Sequence, residues 1–166
     1  MRGVLNKVLR KYAVDFQVMH GFSGATTVCG LAQDGDDGRP LVALYVGDYD
    51  PSGLFMSECD LPERLERYGG HHVRLNRIAI VGSQRGGLQS FPAASKRKDP
   101  RYRWFTQRYG GSCWELDAMD PNALRACIEA AVRAEIEWEA WNRCEVVNDA
   151  ERESLREVLE SWSGAP

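Results

Sequence analysis

Residues 41–53, LVALYVGDYDPSG, decide how this chain is read: six apolar residues, two aspartates one residue apart, then a sharp exit through Pro51 and Gly53. An unbroken apolar run of this length reads as a strand covered on both faces, the habit of parallel α/β sheets. Such sheets bind ligands beyond the carboxyl ends of their strands, and Asp48 and Asp50 stand at that end. Residues i and i+2 of an extended chain point the same way, so the two carboxylates can converge on one ion. Magnesium, or manganese in its place, takes hard oxygen ligands completed by water and phosphate, so a weak, millimolar site is expected. Ser52 and Gly53 would then start a helix whose N-terminus lies near a bound phosphate. A plainer reading stays open: Asp48 caps a turn, Asp50 caps the helix, and Pro51 takes its first position.

Working outward, Val4, Leu5, Val8, Leu9 and Tyr12 recur at helical spacing and predict a helix over 2–13. Residues 16–20 form a β-prone run, Gly21 and Ser23 offer a turn and an N-cap, and 24–33 read as a helix. Residues 34–40, DGDDGRP, are a loop by composition. After the acidic turn, one or two helical pieces are expected up to Gly69-Gly70, broken near Pro62. Residues 73–82 are the next strand. A helix over 99–110 opens with Asp99 as cap and Pro100 at its first position, and 112–117 is a last strand. Asp120-Pro121 starts a long helix to about Trp138, and an acidic helix covers 148–162. Alternating strands and helices predict an α/β fold with a mostly parallel sheet and a helical C-terminus.

The chain has 166 residues, 43% of them hydrophobic and 27% charged, which fits a globular domain rather than a disordered one. No apolar run approaches the ~20 residues of a membrane span. Five dispersed cysteines without a C-x-x-C pair argue against a zinc site or disulfide framework and for a reducing, cytoplasmic setting. The net charge of −3 hides an asymmetry. Residues 85–108 carry seven Lys/Arg and one Asp, whereas 115–160 carry thirteen acids and five arginines. The basic segment is therefore judged locally.

The segment VGDYDPSG is similar to the D-x-D motif of Toprim domains, in the form found near the topoisomerase VI A subunit and the related meiotic double-strand-break protein. RIAIVGSQ, ASKRKDPRYRWFTQRYG and CWELDAMDPNALRACIEAAV resemble the downstream segments of phage and bacterial Toprim-like proteins. This resemblance, running from Arg2 to about Ile136, implies a four-stranded parallel sheet between helices and a magnesium site on Asp48 and Asp50. It implies phosphodiester chemistry of the topoisomerase or nuclease kind, with Glu115 and Asp117 as candidate outer acids. The family's third acid, a glutamate closing the first strand, has no matching position, since the first glutamate is Glu58. The expectation is a Toprim-like domain over 1–138, lacking that strand and inactive alone, with a helical extension over 139–166 packed on it. An unpaired sheet edge invites self-association or a protein partner.

In the basic run, Lys96, Lys98, Arg101, Arg103 and Arg108 are candidates for nucleic-acid phosphates, with DNA the expected partner. Trp104 and Phe105 share a helix face with Arg101 and Arg108, so they read as core residues before they read as base-stacking platforms. His20 follows a strand and reads as a structural histidine. Trp138, Trp141 and Trp162 read as core or interface. Two further functions stay open: a non-catalytic nucleic-acid or partner-binding module, and an aspartyl phosphotransfer domain using Asp48, whose required lysine Lys96 and Lys98 match poorly because they follow an irregular segment rather than a strand.

Overall fold

The computed structural model describes residues 2–19, 24–34 and 40–163. His20, the Gly21/Ser23 turn and most of the 34–40 loop lie outside them. Two compact units divide the chain, Met1–Val132 and Arg133–Pro166. No helix among the described residues is long and apolar enough to cross a membrane.

The first unit opens with α1 (Arg2–Lys11) and α2 (Ala25–Gln33). The apolar stripe of α1 buries Leu5, Val8 and Leu9, and Tyr12 follows it into the core. Strand β1 (Leu41–Val46) pairs in parallel with β2 (Val73–Ala79), with Leu41 opposite Val73 and Tyr45 opposite Arg77. Between them run α3 (Pro51–Phe55), a π turn over Met56–Asp60 and α4 (Leu61–Arg67). The expected break at Pro62 is this π turn. Proline cannot donate the i→i−4 bond, and the chain widens by one residue just before it instead of ending.

One core lies under α2 and α4, where Val28, Ala32, Met56, Leu61 and Leu65 pack with Tyr45, Val73 and Leu75. A second joins Tyr49 and Leu54 to Ile80, Ala93, Phe105 and Cys113. It is closed by α5 (Tyr102–Tyr109) and by a ribbon of β3 (Phe91–Pro92) antiparallel to β4 (Ser112–Cys113). Helix α5 stops at Gly110, whose φ of 92° suits a residue without a Cβ. Helix α6 (Pro121–Glu135) starts as its sequence predicts, because the Asp120 carboxylate accepts the N–H groups of Asn122 and Ala123 at 3.0 Å.

The α/β class, the parallel β1–β2 pair and the helical C-terminus agree with expectation. Other details differ. The described residues form two two-stranded sheets, and the four-stranded parallel sheet is not among them. Residues 16–19 pair with nothing described, and 112–117 keep only two ladder residues before turning into a 3₁₀ turn over Leu116–Ala118. With one neighbouring strand, β1 is half-buried along its whole length rather than sealed on both faces.

The second unit holds α7 (Trp138–Ser163), which begins ten residues earlier than the acidic run suggests. The Arg133 guanidinium lies 4.6 Å from the Trp138 ring, and Trp138 meets Trp141 edge-on. Val146, Val147, Leu155, Val158, Leu159 and Trp162 are exposed along it.

Gly53 and Gly30 test this packing in opposite directions. A Cβ on Gly53 would run into the Asp48 carbonyl oxygen, whereas one on Gly30, inside α2, meets nothing within 4 Å. Gly53→Ala is expected to cost about 1–3 kcal/mol, as overpacking against backbone does. Gly30→Ala is expected to stabilise by roughly 0.5–1 kcal/mol through helix propensity. Urea denaturation of both variants checks the pair, and a neutral Gly53→Ala would count against the close approach.

Candidate functional site

Beyond β1 the ladder continues for one residue: Gly47 N–H donates to Ala79 O at 2.7 Å and Ile80 N–H to Gly47 O at 2.8 Å. Tyr49 then bridges to Trp114 in both directions. The two aspartates flank this bridge and take different partners. Asp48 Oδ1 accepts the Leu116 N–H at 2.7 Å. Asp50 is extended (φ −145°, ψ 174°) and caps α3, its Oδ1 accepting the Gly53 N–H at 2.7 Å. Its Oδ2 faces Lys96 Nζ at 3.0 Å, in a carboxylate only 5% exposed. The plainer reading of Asp50 and Pro51 is therefore realised, with a lysine added.

Arg77 braces the turn. Along β2, Val73, Leu75, Arg77 and Ala79 occupy alternate positions, so a guanidinium sits on an otherwise apolar face. It donates to the carbonyl oxygens of Gly47 (2.7 Å), Asp48, Gly53 (2.9 Å) and Ile80 (2.9 Å), and to Ser57 Oγ (2.9 Å). The flat fork of arginine can satisfy so many fixed acceptors, and an ammonium cannot. Reading from sequence missed this residue. The available signal was a cation at the apolar phase of a strand.

Ser52, expected near phosphate, donates its hydroxyl to Asp99 Oδ2 at 2.6 Å, while Arg101 pairs with Asp99 at 3.3 Å and reaches Ser52 Oγ at 3.4 Å. Asp99, expected as the cap of this helix, instead ties α3 to the turn before α5, which begins at Tyr102 after Arg101. Burial pushes its carboxyl up, but the Ser52 hydroxyl and the Arg101 N–H and guanidinium outweigh that, so its pKa lies below the ordinary value.

Of the basic candidates, Lys96 and Arg101 are engaged with Asp50 and Asp99. Lys98 and Arg103 are exposed, as is Arg97, and none of the three has an ion pair among the described residues. Arg108 is exposed too, with its guanidinium 5.1 Å from the Trp104 ring. Phe105 is fully buried and Trp104 packs edge-on against Phe55, so neither ring offers a free face for a base. Glu115 and Asp117 are exposed, and their segment reaches Asp48 through the Leu116 backbone rather than through a carboxylate. Glu115 still acts on Lys96: the hydrogen bond to Asp50 first, then the nearby charges of Asp50, Asp48 and Glu115, hold the ammonium pKa above its ordinary value against partial burial.

A resident magnesium fits these residues poorly as they stand. Both oxygens of Asp50 and one of Asp48 already have partners, so an ion that takes six ligands would have to share or displace those partners and draw most of its shell from elsewhere. No group of three acids, histidines or cysteines with metal-binding spacing occurs among the described residues. Comparisons with family models, curated proteins and solved structures gave no match. The Toprim resemblance accordingly rests on the residues quoted above.

Two outcomes follow. Arg77→Met takes a charged donor from four backbone carbonyls and is expected to cost about 3 kcal/mol or more, with Arg77→Lys recovering little. Urea midpoints at unchanged slope measure both variants. A carboxylate whose pKa falls on folding stabilises above its unfolded pKa, about 3.9, and that contribution is lost as pH drops through the folded value. The stability gap between wild type and Asp99→Asn is therefore expected to shrink from about pH 5 downward. Thermal melts across that range check it, and a gap independent of pH would contradict it.

Proposed function

We propose that this chain is a nucleic-acid-binding module of Toprim-like build that holds phosphates through Arg97, Lys98, Arg103 and Arg108 and does not cut them unaided. The observation that carries this reading is a division of labour among the charges. The acids of the D-x-D turn are tied to internal donors, while the neighbouring cations face solvent with no carboxylate among the described residues to satisfy them. Uncommitted cations beside one another attract a polyanion and release its counterions, whatever the base sequence. The aromatic side chains of α5 are spent on the core, so binding without base readout is the consistent form. Duplex DNA is the partner this reading favours.

Metal-dependent phosphodiester cleavage, the other activity implied by the resemblance, has less support here. It needs carboxylate oxygens that are free and a group to move a proton, and Asp50 is buried with both oxygens in use.

Fluorescence anisotropy with labelled duplex DNA over a salt series tests the proposal. Affinity is expected to fall steeply with salt. The triple variant Arg97→Ala, Lys98→Ala, Arg103→Ala is expected to flatten the log–log slope by about three units. Arg101→Ala should act less, because its charge is already paired. Equal binding by the triple variant defeats the reading, and so does plasmid nicking that requires both Mn²⁺ and Asp48.

A further inference from the structure

The acidic turn does not wait for an external cation, because the chain supplies one. We infer that the Lys96 ammonium is the resident counter-ion of the Asp48/Asp50 turn, and that a divalent metal can bind there only by displacing it.

Three observations carry this. Asp50 is 4% exposed, and a carboxylate so placed requires a paired cation or several donors. One of its oxygens has the Gly53 N–H and the other has Lys96 at 3.0 Å, which completes the pairing without a metal. Second, Lys96 is delivered by anchored backbone. It closes a 3₁₀ turn over Ala93–Lys96, whose Ala93 is fully buried with its N–H on Gly111 O at 2.8 Å, and its ammonium lies 5.6 Å from the Phe91 ring. Arg97 and Lys98, the next two cations of the same run, have no such partner among the described residues, so the fold selects one of three adjacent cations for the turn. Third, Asp48 and Glu115 also act on this ammonium, which makes it the point where the local negative charge converges.

A divalent ion and an ammonium cannot share that point. Two positive charges on one buried Asp50 oxygen would repel, and solvent reaches this pair only from the Lys96 side. The inference does not depend on nucleic-acid binding, since Lys96 is not among the cations assigned to phosphate.

Mn²⁺ titrations followed by electron paramagnetic resonance of the free ion test it on the full chain. Wild type is expected to show no saturable site below millimolar Mn²⁺. Lys96→Met should gain one site at least tenfold tighter, and the double variant Lys96→Met, Asp50→Asn should lose it. Lys96→Arg, which keeps the charge, should behave as wild type. Equal Mn²⁺ affinity in wild type and Lys96→Met overturns the inference, as does a folded Lys96→Met that binds none. Should Lys96→Met not fold, amide spectra of the wild type decide: paramagnetic broadening at Gly53 below millimolar Mn²⁺ overturns the inference, and its absence supports it.

Discussion

The half-buried guanidinium of Arg77 is the constraint around which this fold is arranged. A parallel strand pair ends in carbonyl groups that point past the last ladder bond, and they need donors when the chain turns away. Here Gly47 and Asp48 at the end of β1, Ile80 after β2 and Gly53 in α3 all give their oxygens to one side chain. The turn is thereby held from β2, a different strand from the one that carries the acids. Gly53 has to be glycine because the chain folds back close enough for this sharing. The position of both aspartates follows from that closeness.

Around this brace the charged residues sort into two populations. Asp48, Asp50, Lys96, Asp99 and Arg101 point inward and satisfy one another or nearby backbone, so they act as structure. Arg97, Lys98, Arg103 and Arg108 face water. Exposed like charges repel modestly and contribute little to stability. Their clustering in an otherwise acidic protein has its clearest rationale in an external anion.

Much of this was legible in residues 41–53 and 73–82, because a parallel strand pair leaves long apolar runs and a Pro–Gly exit leaves an unmistakable turn. The cap at Asp120 was legible for the same reason. The Asp99-Pro100 start was not realised, because α5 begins at Tyr102 after Arg101 and Asp99 instead takes the Ser52 hydroxyl and the Arg101 N–H. The β3–β4 ribbon was not, because two-residue strands are too short to show alternation. The partner of Asp48 was hidden altogether: the donor is the backbone N–H of Leu116, and any residue but proline would supply it. Lys96 was visible as a cation but not as the inward one, since Lys96-Arg97-Lys98 reads identically in each of its three positions. Arg77 could have been found, as a charge at the wrong phase of a strand, but the apolar residues around it dominate the pattern.

The hydrogen bond between Asp48 and Leu116 spans 68 residues of sequence, and that separation has a consequence during synthesis. Chains emerge from the ribosome N-terminus first and begin to fold as they appear. Strands β1 and β2, together with Arg77, are complete while the segment that carries Leu116 is still being made. A nascent chain can thus assemble the brace early, yet it holds Asp48 unpaired, and Asp50 without Lys96, until the ribbon and α5 arrive. Throughout that interval the emerging domain presents a carboxylate-rich turn to solvent or to a chaperone. The finished protein withdraws it.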